Sequence, residues 1–296
     1  MAMMLQRLIA ACGQTAVHSL DEVQELLDGT AKGDFALNAA VLGARTTQLG
    51  FAFAAGYPLA VRRLTGDTRP LALAVTEARG NRPTDIDTVL RRDANGSATI
   101  SGTKTFVTLA DRASHCLVLC KDGDAAPAAD GRVALLLVLA PLRAHGVSVD
   151  MLPSLPIAPA IAHGKVTFTN TTVERIFDGD GWNDYGRPFR TIEDVAVMSA
   201  ALGMAFRITF QSAPTLAARA IAILAALRDV ERLGFSDREA HVLLSGALAL
   251  ATPLLADVCR AASDDVRIEL ERDLPLLSIA TRAREARTAR AWQSFS

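Results

Sequence analysis

The 296-residue chain has few aromatic residues, few cysteines and almost no net charge. Its 31 basic and 32 acidic side chains leave a net charge of −1, so it lacks the positive excess with which nucleic-acid-binding proteins displace phosphate counterions. Half of the residues are hydrophobic and 21% are charged, a balance that excludes an intrinsically disordered chain. The composition therefore predicts a globular protein with a sizeable core and no nucleic-acid partner.

The cysteines are too few and too scattered for the disulfide framework of a small secreted protein. They are Cys12, Cys116, Cys120 and Cys259. Cys116 and Cys120 have no companion Cys-x-x-Cys or His pair, so we expect no metal site. Reduced thiols are typical of the cytoplasm, and we expect a cytoplasmic protein.

Long hydrophobic runs are also missing. A long uncharged stretch, Val242 to Ala256, is interrupted by Gly246 and Pro253 and falls short of the about 20 residues that a membrane span requires. This stretch is typical of a buried helix. We therefore expect no membrane association.

The first of three regions, residues 1–69, has helical spacing of its apolar residues. It predicts an N-terminal helical region in which a long helix runs from about Phe35 to Leu64. Gly56 and Pro58 predict a break or bend in that helix.

Residues 70–180 instead contain short apolar or alternating runs separated by turn clusters such as Asp93-Ala94-Asn95-Gly96. No helical crossover lies between these runs, which predicts a central, mainly antiparallel β-barrel or sandwich. A Gly-x-Gly-x-x-Gly or Walker A motif is also absent, which argues against a nucleotide-binding Rossmann or P-loop domain.

Residues 186–296 predict a C-terminal four-helix bundle, so the fold class is α+β. The predicted helices are Ile192–Gln211, Leu216–Leu233, Asp237–Ala261 and Leu274–Trp292. Thr191 is the predicted N-cap of the first helix, and Ser236 with Glu239 forms a predicted capping box before the third. The last helix carries arginines that predict a solvated face, although a subunit contact or an anionic ligand is an alternative. They are Arg282, Arg284, Arg287 and Arg290.

One series of motifs resembles a known family. Ala74-Val75-Thr76-Glu77 is followed by Asn95-Gly96, then by the run from Ile100 to Thr108, and then by the apolar strand Cys116–Cys120. This order resembles the middle domain of the acyl-CoA dehydrogenase family, and Gly179-Asp180-Gly181-Trp182 resembles the exit from that domain. The resemblance covers about residues 35–210, and the α-β-α order matches the family over the whole chain.

The resemblance implies FAD as cofactor. It implies that the hydroxyl of Thr76 bonds the pyrimidine end of the flavin, that Phe106 lies against the ring, and that the hydroxyl of Thr108 reaches flavin N5. In the loop from Ala78 to Asp85, Thr84 replaces a family serine that touches flavin and substrate. The alternative is that these are ordinary strand and loop residues, because threonine and phenylalanine favour strands in any case.

The resemblance also implies an acyl thioester substrate, bound to CoA or to a carrier protein, from which a carboxylate removes the α-proton. Counting back from Ala201-Leu202-Gly203-Met204 places Glu193 at the position that a minority of the family uses for this base. An acid at a helix start is also favoured by the helix dipole alone. Three other acids are candidates only by their location in the last part of the bundle: Glu269, Glu271 and Glu285.

Two family motifs are missing, the Arg-x-x-Phe-Gly expected around Gln211–Arg219 and the late Gln-x-x-Gly-Gly-x-Gly. Two alternative functions therefore stay open. One is a non-catalytic partner subunit or acyl-binding module without FAD, and the other is a flavin-dependent monooxygenase on the same scaffold. The alanine- and leucine-rich helices predict a homodimer or tetramer, or a heteromer with a longer homologue.

Overall fold

The structure is a computed structural model that describes residues 2–30, 33–127, 129, 131 and 133–295. The chain divides into two compact units. The helical unit comprises Met1–Ala60, Pro156–Ala160 and Thr191–Ser296, and the β unit comprises Val61–Leu155 and Ile161–Arg190. The α+β class predicted from the sequence is confirmed.

The N-terminal part contains α1 (Ala2–Cys12), α2 (Leu20–Asp28), α3 (Phe35–Gly43) and α4 (Leu49–Thr65). The prediction of one long helix from Phe35 to Leu64 is wrong, because the chain leaves the helix at residues 44–48 and Pro58 lies inside α4. Thr46 turns the chain at this break: its hydroxyl accepts a hydrogen bond from the amide of Gln48 at 3.1 Å.

The C-terminal part contains α5 (Arg187–Thr209), α6 (Pro214–Leu233), α7 (Arg238–Ala261), α8 (Asp264–Asp273) and α9 (Thr281–Gln293). Helices α6, α8 and α9 all contact α7. The four helices predicted for this part do not include α8. It also starts the last helix too early, because a 3₁₀ turn over Leu274–Ser278 precedes α9.

Two predicted helix starts are wrong as well. Thr191 lies inside α5, because a π-helical turn over Gly181–Gly186, capped by Asp180, leads directly into that helix. At the start of α7 the N-cap is Asp237 rather than Ser236, since the carboxylate of Asp237 accepts hydrogen bonds from the first helical amides.

Helices α3 and α5 approach each other until their backbones touch. A Cβ atom at Gly203 would lie 1.8 Å from the carbonyl oxygen of Ala40, and one at Gly43 would lie 1.9 Å from that of Ala200. No side chain fits at either position. Gly56 on α4 has the same role, with a carbonyl oxygen of α5 2.8 Å from its Cβ position, so this glycine marks a helix contact and not a bend.

Among the described residues, α7 is the one helix that is long and apolar enough to cross a membrane, judged by length and composition only. Its most apolar window has a mean hydropathy of 1.9, and 44% of that window is buried within the chain. The contacts of α7 with α6, α8 and α9 are those of a core helix in a bundle, which passes the same test.

The β unit contains one sheet. Its strands are β1 (Leu71–Ala74), β2 (Val89–Arg92), β3 (Ala98–Thr108), β4 (His115–Asp122), β5 (Leu135–Pro141), β6 (Val147–Met151), β7 (His163–Thr172) and β8 (Arg175–Ile176). The order is β6-β7-β3-β2-β4-β5-β8, with β1 beside β4. Antiparallel pairs predominate as predicted, but β1 and β2 each pair with β4 in parallel. Within the described part of the chain the path of strands is open, from β6 at one edge to β8 at the other.

Strand β4 is buried on both faces, which explains its continuous apolar sequence. Cys116, Val118 and Cys120 belong to one apolar cluster, and Leu119 belongs to a second cluster with Trp182 packed against it. Burial raises the pKa of each of the two thiols to about 12, so neither cysteine is a nucleophile at neutral pH.

Candidate functional site

Three of the predicted flavin-contacting residues lie at one end of the sheet. Thr76 follows β1, and Phe106 and Thr108 lie at the C-terminal end of β3. The two segments are hydrogen-bonded, because the amide of Thr105 donates to the carbonyl of Thr76 at 2.8 Å. Thr76 and Thr108 are half-buried. The structure thus brings these residues, which are far apart in sequence, onto adjoining chain segments.

Phe106 lies in a β-bulge. Between the pairs Lys104–Val166 and Val107–Gly164, strand β3 has one residue more than β7. Phe106 has a φ of 52°, in the left-handed region that a bulky residue rarely adopts. The bulge also shifts the alternation of the strand, so Lys104 and Val107 are both buried while the ring of Phe106 is 58% exposed.

The backbone conformation of Phe106 and the exposure of its ring are both unfavourable for a chain without a ligand. A left-handed backbone at a non-glycine residue costs on the order of 1–3 kcal/mol and is common at ligand-binding sites. A large exposed aromatic ring adds unburied apolar surface. Together they mark the end of β3 as a candidate binding surface.

His163 is the aromatic neighbour of Phe106. It opens strand β7 directly opposite Thr108, and its ring lies 6.3 Å from that of Phe106 at an interplanar angle of 66°. Burial lowers the pKa of His163, which keeps the imidazole neutral at pH 7. No motif in the sequence marks this histidine, because only the pairing of β3 with β7 brings it to the site.

Behind the exposed residues, a buried ion pair joins the two segments. The ammonium of Lys104 lies 2.6 Å from the carboxylate of Glu77, and both side chains are buried. The same ammonium donates to the carbonyl oxygens of Leu119 at 2.6 Å and Val75 at 3.3 Å. All three ammonium protons therefore have acceptors, as a buried lysine requires.

The carboxylate of Glu77 is equally well satisfied. It accepts hydrogen bonds from the amide of Asp87 at 2.7 Å and from the amide and hydroxyl of Thr88 at 3.0 and 2.8 Å. Burial alone would raise the pKa of Glu77, but the charge of Lys104 and these bonds outweigh it and hold the pKa below its usual value. Both residues belong to the motifs that carry the family resemblance, but the sequence alone gives them no role. Lys104 lies among polar residues of β3 and Glu77 follows β1, so only the fold shows that they pair.

The fourth predicted contact, Thr84, lies on the exposed loop between Glu77 and Thr88. Its hydroxyl donates to Asp85 at 3.5 Å, and no hydrogen bond among the described residues joins it to the other three. Arg79 is held within the same loop by Asp87 at 2.8 Å, whereas the side chain of Arg82 is exposed. The structure therefore shows no hydrogen-bonded link between Thr84 and the bulge of β3 among the described residues.

Glu193 belongs to the helical unit, where it is half-buried on α5. The prediction that it lies in the first turn of a helix is wrong, because α5 starts at Arg187 and Glu193 follows almost two turns later. The helix dipole acts within about the first turn, so it does not explain an acid at this position.

The three alternative acids occupy different places in the helical unit. Glu269 accepts a hydrogen bond from the side chain of Gln48 at 3.1 Å, and Glu271 lies 3.5 Å from Arg267. Glu285 lines a cavity of about 690 Å³ between α7 and α9, together with apolar side chains such as Leu248 and Trp292.

The predicted solvated arginine face of α9 is wrong for two of its four members. The carboxylate of Asp194 on α5 is buried and lies 2.7 Å from Arg284 and 2.6 Å from Arg287. Arg282 and Arg290 are exposed. Two arginines of α9 thus fasten that helix to α5.

No group of three or more potential metal-ligating side chains occurs within the described part of the chain.

Comparison with known proteins identifies the central region of the chain. Residues 72–171 match the sequence profile described as "Acyl-CoA dehydrogenase, middle domain", a range that includes the bulge of β3 and most of the sheet but not β8. These residues are an acyl-CoA dehydrogenase middle domain. The family resemblance predicted from the motifs is thereby confirmed, whereas a search of curated protein sequences finds no match.

Solved structures confirm that this middle domain lies in an acyl-CoA dehydrogenase-like fold. Butyryl-CoA dehydrogenase from Megasphaera elsdenii aligns with a TM-score of 0.71 at 13% identity, over 94% of this chain and 91% of that chain. A glutaryl-CoA dehydrogenase from Mycobacterium smegmatis, in complex with FADH2, aligns at 0.66 and 11% identity over 98% and 89%. FMN-bound TdsC from Paenibacillus sp. A11-2 aligns at 0.64 and 17% identity over 88% and 84%. At these identities the likeness establishes the fold and not the reaction.

Proposed function

We propose that the protein is a flavoprotein that oxidises an acyl thioester between Cα and Cβ, with FAD as its cofactor. The observation that carries this proposal is the bulge of β3, which exposes the Phe106 ring on hydrogen-bonded chain segments that also carry the half-buried Thr76 and Thr108. The surface lies within the acyl-CoA dehydrogenase middle domain.

The residues present fit an isoalloxazine ring. A planar apolar ligand covers an exposed aromatic ring, and hydroxyl groups bond the polar edge of such a ligand. The exposed aromatic ring is that of Phe106, whose backbone has a left-handed φ of 52°. When bound, FAD would supply the acceptor for the hydride that leaves the β-carbon.

The roles of the chain's residues follow from their chemistry. Thr76 and Thr108 would donate hydrogen bonds to a bound flavin and so tune its electronics. Phe106 would pack against the flavin ring. The buried Glu77–Lys104 pair holds the two segments that carry these residues in place.

We propose Glu193 as the base that takes the α-proton onto its carboxylate. A general base contributes about 10²–10⁴-fold to the rate of proton transfer. The position of Glu193 well inside α5 removes one alternative explanation, because the dipole of a helix start does not account for an acid there.

The acyl group is carried by CoA or by a carrier protein. Arg82, exposed on the loop after Glu77, is placed to attract a phosphate of either carrier. We further propose that the protein is cytoplasmic and acts as a homodimer or tetramer, or as a heteromer with a longer homologue.

Glu193→Gln tests the catalytic proposal. Glutamine keeps the size of the side chain but does not accept the proton, so we expect normal FAD binding and flavin reduction by acyl-CoA slowed by about 10²–10⁴-fold. The measurement is anaerobic stopped-flow bleaching of the flavin absorbance. Glu239→Gln, an exposed acid in the first turn of α7, is the matched control and should reduce its flavin at the wild-type rate.

Reduction of the Glu193→Gln flavin at the wild-type rate would exclude Glu193 as the base and direct the search to Glu269, Glu271 and Glu285. A colourless protein that takes up no added FAD would contradict the flavoprotein proposal and favour a non-catalytic partner subunit. Oxygen consumption with reduced flavin and no acyl-CoA oxidation would favour a monooxygenase.

A further inference from the structure

His163 is fixed in place by its backbone on both sides. On one side it pairs with Thr108 of β3, where the amide of Leu109 donates to the carbonyl of Ala162 at 2.8 Å. On the other side its own carbonyl accepts a hydrogen bond from the amide of Leu152 at 2.8 Å. The Cα–Cβ direction of His163 is therefore set by the register of the sheet.

The imidazole is also restrained. It donates a hydrogen bond to the carbonyl of Ile161, two residues earlier in the chain, and it is half-buried. From this position its ring meets the ring of Phe106 at 6.3 Å and 66°, within the range of an edge-to-face aromatic pair. Phe106 is 58% exposed even with His163 in place, and the imidazole is the aromatic group that packs against its ring.

We propose that His163 is a positioning residue of the flavin site, which restrains the Phe106 ring that would lie against a bound isoalloxazine. The inference rests on the proposed function. His163 acts on flavin binding through Phe106. An unrestrained Phe106 ring would lose rotational freedom when the flavin binds, and this loss would weaken the affinity. Preorganisation by the imidazole removes that cost from the binding step.

The expected change in FAD affinity follows from the strength of an aromatic pair. Loss of one such pair corresponds to a change of about 2- to 13-fold in a dissociation constant. His163→Leu keeps an apolar side chain of similar size but removes the ring. We expect its FAD dissociation constant to rise within that range. His163→Phe restores an aromatic ring and should bind FAD within about 2-fold of the wild type.

The experiment is a titration of FAD with each full-length apoprotein, followed by quenching of flavin fluorescence. His145→Leu is the matched control, since His145 is exposed in the turn between β5 and β6. A double-mutant cycle with Phe106→Leu tests whether His163 changes FAD affinity through Phe106. If His163 acts through Phe106, His163→Leu adds no further loss of affinity in the Phe106→Leu background.

Two results would overturn the inference while leaving the flavoprotein proposal intact: equal FAD affinity of His163→Leu and His145→Leu, or fully additive losses in the cycle. Failure of the wild type to bind FAD would overturn both proposals. Circular dichroism melting of each apoprotein verifies folding. If His163→Leu does not fold, His163→Gln takes its place as the non-aromatic variant and is expected to show the same loss.

Discussion

Lys104→Met is the substitution for which the structure predicts the largest loss of stability in the β unit. Methionine keeps most of the apolar stem but removes the ammonium, which leaves the carboxylate of Glu77 buried without its cation. Removing one partner of a buried ion pair costs about 3–5 kcal/mol, because the remaining charge stays desolvated. The carbonyl oxygens of Leu119 and Val75 lose a donor as well. We therefore expect a loss of that size in the free energy of unfolding.

Tryptophan fluorescence can follow the β unit by itself. The chain has two tryptophans, and Trp182 packs against the cluster that contains Leu119, close to the acceptor of Lys104. In a Trp292→Phe background, urea unfolding monitored at Trp182 therefore reports on this unit. The expected result is a lower urea midpoint with an unchanged slope.

Lys165→Met is the matched control, because Lys165 on β7 is exposed and lies 3.6 Å from the exposed Asp150. A surface pair of this kind contributes about 0–1 kcal/mol. Adding Glu77→Gln to Lys104→Met should recover part of the lost stability, since it removes the unpaired charge. Equal midpoints for Lys104→Met and Lys165→Met would refute the reasoning.

The pH dependence of stability gives an independent check on Glu77. Its pKa is lowered in the folded protein, so the stability that it contributes is present above the ordinary value of 4.5 and is lost as the pH falls through the folded-state pKa. Glu77→Gln should flatten the acid limb of the stability curve. An unchanged acid limb would show that Glu77 does not titrate as the structure implies.

Two further predictions concern the helical unit. Gly203→Ala places a Cβ 1.8 Å from the carbonyl of Ala40 and should destabilise the unit by at least about 1–3 kcal/mol, whereas Gly246→Ala on α7, with nothing within 4 Å of its Cβ position, should stabilise it by about 0.5–1 kcal/mol. Urea unfolding monitored at Trp292 in a Trp182→Phe background measures both, and a similar effect of the two substitutions would contradict the close helix contact. Sedimentation velocity at micromolar concentration should show a dimer or larger species, and a stable monomer without a co-purifying partner would count against the proposed assembly.

The sequence predicts the β unit well because its signals are local. Turn clusters and period-2 runs place most strands, and the motif around Thr76, Phe106 and Thr108 predicts residues that the fold does bring to one end of the sheet. The short strands β2 and β8 escape prediction, since four and two residues carry too little pattern. Parallel pairing with β4 also has no local signature.

The helix boundaries fail for a different reason. Thr191 has the chemistry of an N-cap, but the chain reaches it already helical after the π-helical turn at Gly181–Gly186. Capping preferences apply only where the preceding backbone is extended. Tertiary packing decides whether the backbone before a given residue is extended or helical. His163 and the buried Lys104 are missed because their surroundings come from strands distant in sequence.

The bulge of β3 connects folding with the proposed function. Its left-handed phenylalanine is unfavourable for the backbone, and its exposed ring is unfavourable for solvation, so neither feature stabilises the free chain. The neighbouring residues nevertheless hold this geometry: Lys104 is fixed by three acceptors, and His163 is fixed by the register of β7. A flat ligand on the Phe106 ring would bury the exposed surface and thereby offset part of both costs. Phe106→Gly should consequently relieve the backbone strain and weaken FAD binding at the same time.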